Sequence, residues 1–238
     1  MGKYKAVLFD LDGTVSDSSL LIRKIMQKLA RRVLGREEPL EYFKPFIGPP
    51  LTWSFAQMGV AQKDIPRVIG EYREDYLQVM TQAPIFPGVK GVLEELSKHS
   101  VPAALATSKR QDLARQICDT YGISHLFAVL GGAGGNDWKS KKSLVVGEDL
   151  NKLAELGYLS RGADCPAGDP KRTWKDRTRT DVVMVGDRIH DIEGAGVHGI
   201  PTILVTWGGT YPHEEAQAWK TVSSPAELTA LLLGGSDL

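Results

Sequence analysis

Five short apolar runs constrain the fold of this chain most: residues 6–9 (AVLF), 101–106 (VPAALA), 127–130 (FAVL), 182–185 (VVMV) and 201–205 (PTILV). None alternates with polar residues, as a strand with one wet face would. Runs of this kind suit strands buried on both faces of a parallel sheet. Helical spacing appears between them. Val89, Val92, Leu93 and Leu96 share one face, as do Leu113, Ile117 and Tyr121, and Leu144, Leu150, Leu153 and Leu156 form a looser set. Strand and helix in alternation predict an α/β architecture, a Rossmann-like parallel sheet with helices on both sides.

One segment breaks the rhythm. Residues 17–86 show helical patterns and no strand. Leu21, Ile25, Leu29 and Val33 recur every four residues behind Asp17 or Ser18 as N-cap, and Ile65, Val68, Ile69, Tyr72, Tyr76 and Met80 form a second stripe. Between the stripes, Gly48-Pro49-Pro50 excludes a continuous helix. The expected organisation is an α/β core of residues 1–16 and 87–238 with a helical cap, 17–86, inserted after the first strand.

Composition excludes several function classes. Lys+Arg and Asp+Glu are equal at 29 each, without the basic surplus that marks a nucleic-acid partner. No run approaches the ~18 apolar residues of a membrane span, and the N-terminus lacks a signal peptide's apolar stretch. Cys118 and Cys165 form neither a disulfide framework nor a metal motif, and read as free thiols in a reducing cytosol. The expectation is a soluble cytoplasmic protein, monomer or homodimer.

The chemistry gathers where the strands end, since ligands of open parallel sheets sit beyond the carboxyl ends. After the first strand come Asp10, Asp12, Gly13 and Thr14, and after the second Thr107, Ser108 and Lys109. Lysines at 139, 141 and 142 follow the third, and Gly186, Asp187 and Asp191 the fourth. Carboxylates at that density suit a hard, oxygen-seeking cation such as Mg²⁺. Hydroxyls, amides and an ammonium suit a phosphoryl group. Taken singly, each motif has a plain alternative. Thr107-Ser108 would cap a helix starting at Lys109, and Asp187 and Asp191 would be ordinary acids at a helix N-terminus. His190 reads as a neighbour and not a ligand, because Mg²⁺ prefers oxygen. Trp53, Phe55 and Trp207 read as packing aromatics. The basic stripe Arg23, Lys24, Lys28, Arg31, Arg32 and the run from 171 to 179 read as solvated surface.

In order, DLDGT (10–14), ATSK (106–109), a downstream lysine and VGDRIHD (185–191) resemble the four motifs of the haloacid dehalogenase superfamily of phosphatases. The likeness spans essentially the whole chain. FIGPPL (46–51) and DIEGAGVHGIPTILVTWGGT (191–210) are similar to its phosphoglycolate phosphatase-like branch. The resemblance implies Asp10 as nucleophile, forming an aspartyl-phosphate, and Asp12 as general acid and then base. It implies Mg²⁺ held by Asp10, the Asp12 backbone carbonyl and Asp187, with Asp191 in support. Thr107, Ser108 and a lysine would hold the phosphoryl oxygens. The family places that lysine at a helix start, which favours Lys142 and leaves Lys141 as a second choice. Gly48, Pro49 and Pro50 would form a substrate loop of the cap. The implied substrate is a small phosphorylated metabolite, 2-phosphoglycolate first, with a nucleoside 5'-monophosphate as alternative. Asp12 argues against a dehalogenase. Ile22, where sugar phosphomutases carry a cap histidine, argues against a mutase. The filled catalytic positions argue against a non-hydrolysing binder. The insertion at 160–180 has no counterpart in the family pattern.

Overall fold

The computed structural model of the chain describes residues 4–134, 141–160, 169, 172–173, 175 and 180–234. The lysine at 139, Cys165 and most of the 160–180 insertion lie outside the described residues. The chain divides into two compact units, Met1–Ser16 with Ile85–Leu238 and, separately, Asp17–Pro84. This division falls at 84/85, two residues before the expected 86/87, and Ile85 pairs with Ser16 in an isolated antiparallel bridge.

The first unit is a six-stranded parallel sheet in the order β3-β2-β1-β4-β5-β6. Its strands are β1 (Ala6–Phe9), β2 (Ala103–Arg110), β3 (Phe127–Ala133), β4 (Val182–Gly186), β5 (Thr202–Val205) and β6 (Lys220–Val222). The helices that carry the chain between them are α4 (Val89–Lys98), α5 (Gln111–Thr120), α6 (Lys142–Glu155), α7 (Ile189–Gly196), α8 (Pro212–Glu215) and α9 (Pro225–Leu233). All four residues of β1 are fully buried, so burial of Val7, Leu8 and Phe9 stabilises the centre of the sheet by about 1.5–3 kcal/mol each. One layer of the core packs Leu8, Ala104, Ala106, Val129 and Met184 against Val145, Val146, Leu150 and Leu153 of α6.

Two expectations shift, and one strand lies where none was expected. Leu144 and Leu156 are exposed, since Val145 and Val146 complete the buried face of α6 with Leu150 and Leu153. β2 continues to Arg110, so Thr107-Ser108 lie within the strand and cap no helix; α5 starts only at Gln111. β6 is a three-residue edge strand, too short to carry a periodic signal.

From β1 the chain goes out to β2 and β3 on one side, then crosses to β4, β5 and β6 on the other. Parallel strands whose connections leave in opposite directions open a crevice at their carboxyl ends. That crevice lies between β1 and β4, which pair in register from Ala6↔Val182 to Phe9↔Val185. The next residue after Phe9 is Asp10, and β4 ends on Gly186, one residue before Asp187.

The second unit is built from α1 (Ser19–Leu34), α2 (Leu51–Gln57) and α3 (Ile65–Leu77), with a 3₁₀ segment at Leu40–Phe46. The buried face of α1 is Ile22, Ile25, Met26, Leu29 and Ala30. It is displaced from the four-residue spacing of Leu21 and Val33 because a 3.6-residue turn drifts away from a strict period of four. Ser18 holds the N-cap position without a side-chain hydrogen bond to the helix. The second stripe is buried as spaced, with Tyr72 6.0 Å from Phe55 and 5.9 Å from Tyr76, ring centre to ring centre. Gly48 takes a left-handed φ of 100° ahead of Pro50, which stands at the N-cap of α2. Phe55 is buried and Trp53 is half exposed. Among the described residues, no helix is long and apolar enough to cross a membrane.

Candidate active site

Asp10 emerges from β1 with its amide still bonded to the Val185 carbonyl of β4 at 2.9 Å. This bond brings the ends of the two central strands together. Asp187 follows β4, and Asp191 lies in the first turn of α7. One carboxylate oxygen from each of Asp10, Asp187 and Asp191 lies within 4.8 Å of the others. The Asp191 Oδ2 atom also accepts from the amides of Asp187 and Arg188, at 3.1 Å each. Asp191 therefore caps the helix, while its other oxygen faces the cluster. The Asp12 carboxylate stands apart from the three and accepts from Lys109 Nζ at 2.8 Å.

Among the described residues, Lys142 brings a second ammonium to this edge. Its Nζ lies 2.6 Å from Asp10 Oδ1, 2.8 Å from Asp191 Oδ1 and 2.9 Å from the Ala106 carbonyl. Lys141 is the exposed N-cap residue of α6. Lys142 is seated by Gly194 of α7, where a Cβ would collide with the lysine stem. Thr107 is buried, and its Oγ1 accepts from the Lys109 amide at 3.2 Å. Ser108 and Lys109 fall in a break of the β2–β3 ladder, between the pairs Thr107↔Gly132 and Arg110↔Ala133. Such a bulge re-aims side chains at a strand end, and here Lys109 is brought to Asp12. Gly48, Pro49 and Pro50 belong to the helical unit and are described there. His190 lies 3.8 Å from Glu193 and is outside the three-carboxylate cluster.

The electrostatics follow from burial. Desolvation raises the Asp10 carboxyl to about 6; Lys142 opposes the rise, while Asp191 and Asp12 add to it. Desolvation, with Asp191 and Asp10 as neighbours, holds Asp187 well above the usual carboxylate range. Burial works against the Lys142 ammonium, but Asp10 and Asp191 outweigh it and keep the group charged. Four carboxylates face two ammonium groups here, an excess of two negative charges when all are ionised. Hard oxygen donors with that excess fit a divalent cation of the Mg²⁺ type. Asp10, Asp187 and Asp191 would hold it.

Gly13, at φ 83°, packs so closely on the Asp187 carboxylate that no Cβ fits. Thr14 Oγ1 donates to Asp187 Oδ1 at 3.4 Å, and Trp207 Nε1 donates to the Thr14 carbonyl at 3.1 Å. Trp207 is thus a brace for the DGT turn and more than a packing aromatic. The sequence reading missed a second brace. Buried Glu214 of α8 meets Arg188, Ile189 and Tyr211, and its one sequence signal was Pro-x-Glu, a helix-start pattern at 212–214.

Residues 7–145 match the haloacid dehalogenase-like hydrolase family. The chain belongs to that family. A second, HAD-hydrolase-like description matches residues 163–230. Among curated proteins, the chain is 30% identical over 203 residues to the tyrosine-protein kinase PtkA of Mycobacterium tuberculosis, covering 85% of this chain but 62% of that protein. It is 29% identical over 234 residues to a 5'-nucleotidase of Pseudomonas aeruginosa, covering 96% and 94% of the two chains. Among solved structures, it is similar to a predicted phosphatase from Clostridium acetobutylicum, with a TM-score of 0.79 at 26% identity over 96% of this chain and 97% of that one.

Proposed function

We propose that this hydrolase is a Mg²⁺-dependent phosphomonoesterase acting on a small phosphate ester. The observation that carries the reading is Asp10 at the β1 carboxyl end, converging with Asp187 and Asp191 and paired with a buried Lys142. Asp10 is the nucleophile. Its oxygen forms a bond to phosphorus while the bond from phosphorus to the ester oxygen breaks, leaving an aspartyl-phosphate. Asp12, two residues on and paired with Lys109, supplies the proton that the leaving alkoxide takes. It then takes a proton from the water that releases phosphate and regenerates Asp10. Lys142, kept charged by its two carboxylate neighbours, and Thr107 hold phosphoryl oxygens, with Ser108 beside them. A divalent cation, when bound, offsets the repulsion between carboxylate and anionic ester and stabilises charge during transfer.

2-Phosphoglycolate is the first substrate on the sequence resemblance. A nucleoside 5'-monophosphate is the second, favoured by the 5'-nucleotidase relative aligned over nearly the full length of both chains. The test is phosphate release from a panel of phosphoglycolate, nucleoside monophosphates, sugar phosphates and a chromogenic ester, run with Mg²⁺, with EDTA and with Asp10→Asn. We expect release with Mg²⁺, its loss in EDTA, and a drop of at least about a thousandfold in Asp10→Asn. A folded, Mg²⁺-loaded protein that releases phosphate from none of these esters would sink the reading.

A further inference from the structure

The loop after β5 and the short α8 hold the backbone on both sides of Asp187. Glu214 is 1% exposed. A buried carboxylate is costly unless its oxygens are matched, and here both are. Oε1 accepts from Arg188 Nε at 3.1 Å and from the Ile189 amide at 3.2 Å. Oε2 accepts from the Tyr211 amide at 3.0 Å and shares the Arg188 Nε–H at 3.3 Å. The Arg188 guanidinium lies over the Tyr211 ring, 5.1 Å from its centre, so the pair is packed as well as bonded. Thr210 Oγ1 sits 2.8 Å from the carbonyls of both Asp187 and Val205. Gly208 abuts the Gly13 carbonyl and the Asp187 side chain, where a Cβ would find no room.

The consequence is a turn with no slack. The amides of Asp187 and Arg188 end on Asp191, and that of Ile189 ends on Glu214. Three close carboxylates of like charge, two of them buried, tend to splay apart unless the backbone that carries them is fixed. We propose that Glu214 is a positioning residue: by fixing Arg188 and the Ile189 amide it keeps Asp187 and Asp191 converged on Asp10, and so sets the affinity of that cluster for a divalent cation. This inference rests on the metal-dependent reading above. Glu214 touches neither cation nor ester; it acts through the 187–191 turn.

The test uses Mn²⁺ as the probe on the full chain, with binding read by calorimetry and electron paramagnetic resonance, and melting read in EDTA. The variants are Glu214→Ala, Glu214→Gln and, as control, Glu227→Ala. Glu227 accepts from the Ser223 amide at 2.8 Å at the start of α9, so its loss removes a comparable contact outside the 187–191 turn. We expect the Mn²⁺ Kd to rise about tenfold or more in Glu214→Ala, less in Glu214→Gln, and to stay unchanged in Glu227→Ala. If Glu214→Ala does not fold, Glu214→Gln carries the test. Folded Glu214 variants that bind Mn²⁺ within about twofold of wild type overturn the proposal, given the sensitivity expected of such supporting partners. A wild-type protein that binds Mn²⁺ but releases no phosphate overturns the phosphatase reading and leaves this one standing. A wild type that binds no Mn²⁺ overturns both.

Discussion

In the helical unit Lys28 meets Asp75 at 2.8 Å and Arg32 meets Glu71 at 2.6 Å, each pair with solvent around it. Arg23 pairs with Glu41 and Arg31 with Glu37 in the same way. Four of the five basic residues of the α1 stripe are therefore matched by acids within its own unit. At the sheet edge of the α/β unit the arrangement is the opposite. Lys142 is buried between Asp10 and Asp191, and Asp187 is buried beside them. Exposed pairs are worth about 0–1 kcal/mol each and tolerate change. Buried like charges persist only where the surrounding backbone over-determines them, and groups held so are those whose protonation and reactivity a protein can tune. The difference separates a unit whose charges settle its surface from one whose charges converge at a buried sheet edge.

The comparison breaks first at Lys142. In Lys142→Met, Asp10 and the buried Asp191 lose their shared cation. We expect stability to fall by roughly 3 kcal/mol and phosphate release by about a hundredfold or more, read by denaturant melts and the ester panel. A variant with wild-type turnover would place the phosphate-binding cation elsewhere.

Asp149 sharpens the comparison, because it is a buried carboxyl of the same unit away from the cluster. It is fully buried on α6 against Gly131, and neither of its oxygens meets a hydrogen-bond partner among the described residues. Desolvation raises it to about 8, with Glu148 adding and Lys152 and Lys142 opposing. The folded state therefore keeps a proton that the unfolded chain releases near pH 4. The folded form binds more protons across this window, so stability falls as pH rises from about 4 through about 8. Asp149→Asn removes that slope. We expect the variant to gain on wild type by roughly 2–3 kcal/mol between pH 6 and pH 9, seen as a melting temperature several degrees higher at the alkaline end. Equal pH slopes in the two proteins would mean that Asp149 is already ionised when folded.

The smallest effect belongs to the helical unit. Lys28→Ala and Arg32→Ala should each cost less than about 1 kcal/mol, and less still in 1 M salt. A loss of several kcal/mol from either would give these surface pairs the weight reserved here for the buried ones.

Much of this was legible from local pattern. The strands β1 to β5 announced themselves as apolar runs, because a strand covered on both faces must be apolar at every position. Asp10, Asp12, Thr107 and Asp187 were legible because each directly follows or ends such a run, and chain direction alone puts strand ends at one edge. Lys142 was one of three lysines until α6 formed and its first turn faced Ala106. The three-residue β6 gave no period to read. The true buried faces of α1 and α6 were blurred because neighbouring apolar residues, Leu21 and Ile22 or Leu144 and Val145, compete until a partner layer selects among them.

By itself, then, the sequence determined the alternation of strand and helix, the interruption by a helical unit, and the residues that line the carboxyl edge of the sheet. These follow from covalent order and from the periods of helix and strand, which act over a few residues. Only the tertiary structure decided which charges meet. The pairing of Lys109 with Asp12, of Lys142 with Asp10 and Asp191, and of Glu214 with Arg188 joins segments that lie far apart in the chain. Such contacts depend on strand order and on the switch in connection between β1 and β4, and no local period encodes them.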